Sequence, residues 1–150
     1  MNARLLRFAA VALVAALALT GCDNGEPRSE STGLTHTPAD VAELNGDWVA
    51  NYIRDPDTSI VPGSRIQITF HDDSLSAKAG CNTLIGAASI DGDQLAVDTL
   101  ASTQKACEDD LTQQDAWLSD FLTSGPTVEV LGPDLWLSRG DDTVLHLTQQ

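Results

Sequence analysis

Three side chains in this 150-residue sequence have the chemistry to attack, ligate or cross-link: Cys22, Cys81 and Cys107. A cysteine nucleophile works as a thiolate beside a base that a third group holds in place. The bases on offer are His36 in a polar N-terminal segment, His71 at a strand end and His146 in the last strand. None of them stands in a recognisable nucleophile motif. A structural zinc site needs closely spaced thiolates or imidazoles, and the chain has neither Cys-x-x-Cys nor His-x-x-x-His. The reading therefore assigns no catalytic residue, no metal ligand and no cofactor.

Acidic residues offer a second kind of chemistry. Asp72-Asp73, Glu108-Asp109-Asp110 and Asp141-Asp142 could gather a hard cation through their oxygens. Each pair or triplet, however, falls at a turn or just ahead of a helix, where turn geometry and the helix dipole favour Asp. No twelve-residue calcium loop is present, so these are read as solvated turns.

Cys22 has its own logic. "MNARLLRFAAVALVAALALTGC" begins with Arg4 and Arg7 and continues as an apolar run from Phe8 to Leu19. That is the length of a signal h-region and too short for a bilayer core, which takes about 20 apolar residues. It closes on Leu19-Thr20-Gly21-Cys22, which resembles the bacterial lipobox. Residues 1–21 are expected to be a lipoprotein signal peptide, and Cys22 the lipidation site. The anchor places the chain on a cell membrane, facing outside the cytoplasm.

Charge limits the partners. The sequence carries 22 acidic and 8 basic residues, a net charge of −14. Without Arg4 and Arg7, 6 basic residues face the same 22 acids, giving −16. Nucleic-acid binding depends on Lys and Arg neutralising phosphates, so no nucleic-acid partner is expected. Anionic headgroups are repelled too, which leaves attachment to the acyl chains at about 0.8 kcal/mol per buried methylene.

Residues 22–40 follow as an expected flexible tether. "DNGEPRSESTGLTHTPAD" holds one large apolar residue, Leu34, and no aromatic. So little apolar surface cannot offset the entropy of ordering the segment.

The elements that must position the two remaining cysteines lie in 41–150, expected to be one domain. "RIQITF" alternates Ile66, Ile68 and Phe70 on one face, the period of a half-buried strand. Further strands are expected at Trp48–Ile53, Ser74–Lys78, Leu84–Ile90, Gln94–Asp98, Thr127–Leu131, Leu135–Ser138 and Thr143–Thr148. Asp91-Gly92 marks a tight hairpin. In "LTQQDAWLSDFLTSGP", Leu111, Leu118, Phe121 and Leu122 share a helical face, Thr112 with Asp115 fits a capping box, and Gly125-Pro126 is a stop. Seven or eight antiparallel strands with one inserted α-helix make a mainly β, small barrel-like fold. Trp48, Trp117 and Trp136 are assigned to its core.

With Cys22 lipidated, Cys81 and Cys107 are an even pair in an exported domain, which favours a disulfide. Such a bridge would stabilise by roughly 3–4 kcal/mol on the chain-entropy estimate. The alternative is two reduced, buried thiols. In "AGCNTLIG", Gly80 is expected to permit a close turn beside the bridge, and Asn82 to bond its own backbone.

The order of features resembles the META domain family of HslJ-like bacterial lipoproteins. The resemblance rests on Trp48 after Leu44-Asn45-Gly46, on Gly80-Cys81-Asn82 with Gly86 four further on, and on Leu100-Ala101-Ser102-Thr103 leading to Ala106-Cys107. It covers about residues 41–148. Two positions depart from the family's habit: Ala88, where an aromatic is common, and Lys105, where Met or Arg is common. The resemblance implies a compact antiparallel β-barrel-like domain with a helix, no established enzymatic activity, and a loose link to envelope stress.

The functional expectation is a lipid-anchored, non-enzymatic binding or scaffold module of the cell envelope. It is expected to be a monomer, attached to the membrane through Cys22, with its protein or small-molecule partner unnamed. A second reading is a small hydrophobic ligand carrier or protein inhibitor using the barrel mouth. A third, a hydrolase, would depend on Cys81 or His71.

Overall fold

The computed structural model describes residues 34–150; the expected signal peptide, Cys22 and most of the expected tether lie outside them. Ten antiparallel strands form one sheet. They are β1 (Gly46–Arg54), β2 (Gln67–His71), β3 (Ser74–Lys78), β4 (Thr83–Ala87), β5 (Ser89–Asp91), β6 (Gln94–Ala96), β7 (Ala101–Ser102), β8 (Thr127–Leu131), β9 (Asp134–Arg139) and β10 (Thr143–Gln149). The one α-helix among the described residues, α1 (Asp109–Thr123), stands between β7 and β8.

The spatial order is β5-β6-β8-β9-β10-β1-β2-β3-β4-β7. Strands β4 and β5 follow one another in the chain with only Ala88 between them, yet lie near opposite ends of that order. The sheet must therefore curl, and it forms a half-barrel. Ala88 is the corner: buried, with its N–H donating to Asp73 O at 2.9 Å. A small side chain fits there, which accounts for alanine at this position.

The period-two pattern produces this sheet because one face is buried. Ile66, Ile68 and Phe70 point inward, as do Leu135 and Leu137 on β9 and Leu145 and Leu147 on β10. Helix α1 adds Leu118, Phe121 and Leu122 to the same core, all fully buried. Burying an aliphatic or aromatic side chain stabilises by about 1.5–3 kcal/mol, so the core is the chief source of stability. Trp48 Nε1 donates to Leu44 O at 2.7 Å, so the largest core side chain leaves no polar group unpaired. That carbonyl belongs to a 3-10 turn, Val41–Leu44, whose Ala42 N–H is capped by Asp40 Oδ1 at 2.8 Å.

Several expectations change. The strands number ten because Leu84–Ile90 breaks at Ala88 and because Ala101–Ser102 adds a two-residue edge strand. The capping box is absent. The helix starts three residues earlier than Thr112, with Glu108 at the cap and no side-chain capping bond. Thr112 Oγ1 instead donates back to Glu108 O at 3.1 Å, and Asp109 and Asp110 in the first turn favour the helix dipole. The expected tether also contributes to the sheet, since His36 pairs with Val130 through backbone bonds of 2.9 and 2.8 Å. Of the three tryptophans only Trp48 is in the core; Trp117 is half-buried and Trp136 faces outward between buried Leu135 and Leu137.

Candidate functional site

Cys81 and Cys107 are joined in a disulfide with Cα atoms 6.2 Å apart, closing a separation of 26 residues. The bridge holds the start of β4 against the start of α1. Helix α1 lies close against Gly80: a Cβ there would stand 2.7 Å from Leu111 Cδ2, at the movable end of that side chain, and 3.4 Å from Gln114 Nε2. Gly86 is crowded by backbone at the other end of β4. Its Cβ would meet Thr99 O at 2.5 Å and Leu100 Cδ2 at 2.9 Å, where the chain crosses over the strand.

Asn82 organises the space between these glycines. The expectation that it bonds its own backbone is not met, because distant partners claim it. Its N–H donates to Asp115 Oδ2 at 2.8 Å and its Nδ2 to the same oxygen at 3.0 Å. Its Oδ1 accepts from Thr103 Oγ1 at 2.9 Å and from the Lys105 N–H at 3.0 Å. Thr103 Oγ1 in turn accepts from the Thr83 N–H at 3.0 Å. One side chain thus ties β4, the end of β7 and α1 together, with the disulfide beside it. Gly80, Cys81, Asn82, Thr103 and Cys107 therefore meet at one junction, while Gly86 lies at the other end of β4, against Thr99 and Leu100.

Two residues of this junction carry roles the sequence does not announce: Gln114, and Asp115, whose spacing from Thr112 suggests a capping box instead. Gln114 is buried; its Oε1 accepts from the Val61 N–H at 2.6 Å, and its Nε2 donates to Ser64 Oγ at 2.9 Å and to Ala79 O. It pins the 55–65 loop to the helix. Asp115 is 5% exposed, and while Oδ2 is held by Asn82, Oδ1 has no hydrogen-bond partner. An unpaired buried carboxylate oxygen is costly, on the order of 1–3 kcal/mol. The available signal was a polar pair at 114–115 on the same side of a helix as Leu111 and Leu118.

A carboxylate oxygen of Asp115 and both cysteine sulfurs lie within 4.8 Å of one another. Metal ligation needs thiolates, and both sulfurs are used in the bridge. Beside this trio runs a groove of about 330 Å³ between α1 and the edge of the sheet. Thr112, Asp115, Ala116 and Ser119 form its helix wall, at the i, i+3, i+4 and i+7 spacing of one helical face. Ser102 and Lys105 contribute to the facing wall. Because the Thr103 N–H donates to Thr83 O at 3.1 Å, strand alternation turns the backbone groups of Ser102 and Gln104 toward the free edge.

A second cluster lies on the outer face of the sheet. Tyr52, His146 and Trp136 stand side by side on β1, β10 and β9, with His146 opposite both neighbours in register. Trp136 stacks on His146 with centroids 4.0 Å apart, and Tyr52 tilts against His146 at 5.3 Å. His146 Nε2 bonds Asp134 Oδ1 at 2.8 Å, while Nδ1 is buried with no partner. This His–Asp pair has no cysteine to activate, since β10 and β4 are four places apart in the sheet order. At about 4.8 Å per strand that is far beyond proton-transfer reach. His71, at the end of β2, is exposed and pairs only with Asp72 at 3.3 Å.

Among the described residues, Asp55 is the carboxyl whose pKa is displaced. Partial burial works to raise its pKa, but hydrogen bonds from the Asp57 N–H, Trp117 Nε1, Thr143 Oγ1 and the Thr58 N–H outweigh it, and the net pKa lies below the ordinary value. The bonds from Asp57, Trp117 and Thr143 measure 2.9, 3.2 and 3.1 Å.

A curled antiparallel sheet with one helix stapled to it by a disulfide defines a small β-class domain. The chain belongs to the META domain family, whose model matches residues 40–150. No curated protein matches it. Two solved structures share the fold. A protein from Burkholderia xenovorans, determined by NMR, is 21% identical, with a TM-score of 0.58 over 73% of this chain and 86% of its own. A second protein, also determined by NMR, is 20% identical, with a TM-score of 0.55 over 72% of this chain and 93% of its own.

Proposed function

We propose that this chain is a non-enzymatic, lipid-anchored binding module of the bacterial cell envelope, and that it engages its partner through the groove between α1 and the Ser102–Lys105 edge. The observation that carries the reading is the spending of the junction's reactive groups. Both domain cysteines are cross-linked, Asn82 is fully hydrogen-bonded, and Asp115 is buried with its Oδ2 held by Asn82, which leaves the groove lined by polar groups that bind but do not attack. A site built in this way recognises rather than reacts. The lipobox-like Leu19-Thr20-Gly21-Cys22 supports the anchor.

The barrel interior argues against the carrier alternative. Trp48, Phe70, Phe121 and the surrounding leucines fill it, and a hydrophobic guest would have to displace them.

A photo-crosslinking amino acid at Ser119, in the groove, is expected to capture a partner in cells, whereas the same group at Glu129 on the outer sheet captures none. Equal capture from both positions, or capture only from Glu129, rejects the groove. Metabolic labelling with a fatty acid tests the anchor: Cys22→Ala should abolish incorporation, and unchanged labelling removes Cys22 from the account.

A further inference from the structure

We infer that the groove takes an extended, basic segment of another polypeptide, which adds as a strand along the free edge at Ser102–Gln104. The inference rests on the groove being the binding surface, and adds the chemistry of what it binds.

The edge is already held as a strand. The Thr103 N–H donates to Thr83 O at 3.1 Å, and the Lys105 N–H donates to Asn82 Oδ1 at 3.0 Å. The Asn82 side-chain carbonyl thus stands in for a ladder carbonyl, and supports the edge beyond the two residues of β7. Residues 101, 103 and 105 are held toward β4 and Asn82. Alternation leaves the N–H and C=O of Ser102 and Gln104 pointing outward. Both residues are exposed, and among the described residues no backbone carbonyl beyond the β4 ladder accepts from either N–H. Positions two apart along a strand repeat about every 6.6–6.8 Å. A small polar solute meets one of these residues, whereas an extended main chain meets both.

The groove also has the second wall that strand addition uses for specificity. Helix α1 runs beside the edge, and Thr112, Ala116 and Ser119 line the groove with Ser102 and Gln104. An added strand turns alternate side chains toward such a wall, while its main chain supplies the affinity. Charge selects the segment. The chain carries 22 acidic and 8 basic residues. Glu108-Asp109-Asp110 stands at the start of α1, just ahead of Thr112, and among the described residues none of the three is in an ion pair. Such a field repels an acidic segment and draws in a basic one. It also disfavours a second copy of this chain, which brings the same excess of acids.

The test is an NMR titration of the intact chain in detergent with capped pentapeptides Lys-x-Thr-x-Lys, where x is Ala, Val, Thr or Phe. Acid-flanked Glu-x-Thr-x-Glu peptides and N-methylated copies of the basic ones are the controls. At least one basic peptide is expected to shift the amides of Ser102, Gln104 and Ser119, and to slow hydrogen exchange at the first two about tenfold or more. N-methylation removes the peptide's own donors and should weaken binding about tenfold, and the acid-flanked peptides should bind more weakly than the basic ones. Ser102→Pro deletes an N–H that faces away from the ladder, so the domain should stay folded and lose about tenfold in affinity. If that variant fails to fold, Gln104→Pro takes its place. The inference is overturned if no peptide moves these amides, if the N-methylated copies bind as well, or if the proline variant binds unchanged. Protection at Ser102 that grows with protein concentration alone assigns the edge to a second copy and also overturns it. Capture from Ser119 together with silent peptides rejects strand addition and keeps the groove.

Discussion

The junction around Asn82 and the aromatic cluster around His146 are built from similar parts and organised differently. Each contains a carboxylate, a side chain that bonds it, and one buried polar atom without a partner: Asp115 Oδ1 in the first, His146 Nδ1 in the second. At the junction, the bonds run between elements far apart in sequence. Asn82 reaches Asp115 across 33 residues and Thr103 across 21, and a disulfide adds a covalent tie. In the cluster, His146 and Asp134 lie on neighbouring strands already paired by a ladder of backbone bonds, so their 2.8 Å contact decorates a sheet that stands without it. The difference teaches where the fold needs side chains to hold it. The sheet interior is held by its backbone ladder, but its end, where β7 is two residues long, is held by Asn82 and the disulfide.

The largest expected effect breaks the junction covalently. Cys81→Ser with Cys107→Ser should lower stability by about 3–4 kcal/mol, read from urea unfolding, on the loop-entropy estimate for a closure of 26 residues. A loss well under 1 kcal/mol would mean that the hydrogen bonds alone hold the end of the sheet.

Next comes Asn82→Ala, which leaves the Lys105 N–H and the Thr103 hydroxyl without an acceptor and removes one donor from Asp115. About 2–3 kcal/mol is expected. Trp136→Ala in the outer cluster should cost less, about 1–2 kcal/mol, because it loses a stacked ring and partial burial but no ladder bond. A reversed order in thermal or urea unfolding would make the aromatic cluster the structural keystone and refute the contrast.

The smallest effect concerns neither region but calibrates both. Asp55 has a folded pKa below its unfolded value, so its contribution to stability is present above about pH 4 and is lost as pH falls through the folded value. Asp55→Asn should therefore reduce the loss of stability between pH 7 and pH 3. An unchanged pH slope would show that Asp55 is not the group bridging the 55–65 loop, α1 and β10 in solution.

The sequence was most legible where the physics is local. "RIQITF" declared its buried face by alternation, Asp91-Gly92 its hairpin by the positive φ of Gly92 at 65°, and Leu118, Phe121 and Leu122 their side of the helix. The even pair Cys81 and Cys107 announced the disulfide that the structure contains. What stayed hidden depends on partners distant in the chain. Thr112 and Asp115 satisfy the local rule for a capping box, but Asp115 is claimed by Asn82, a tertiary contact that no spacing rule within the helix encodes. His36 looked like tether because its own neighbours are polar; its order comes from the edge of β8. Trp136 was assigned inward by its hydrophobicity, whereas the sheet's alternation and the open ring of Tyr52 place it outside. The two glycines of the motif need no unusual backbone angle. Gly86 is required by the Thr99 carbonyl that lies against it, and Gly80 sits where Leu111 of α1 packs closely, both visible only once the fold is formed.

The central claim, that Asn82 fastens the end of the sheet while the aromatic cluster merely rides on it, is tested most directly by amide hydrogen exchange in Asn82→Ala. The Lys105 N–H, whose acceptor is Asn82 Oδ1 at 3.0 Å, should lose its protection, and the amides of Tyr52, Trp136 and His146 should exchange as before. Unchanged protection at Lys105, or an equal loss in both regions, would contradict it.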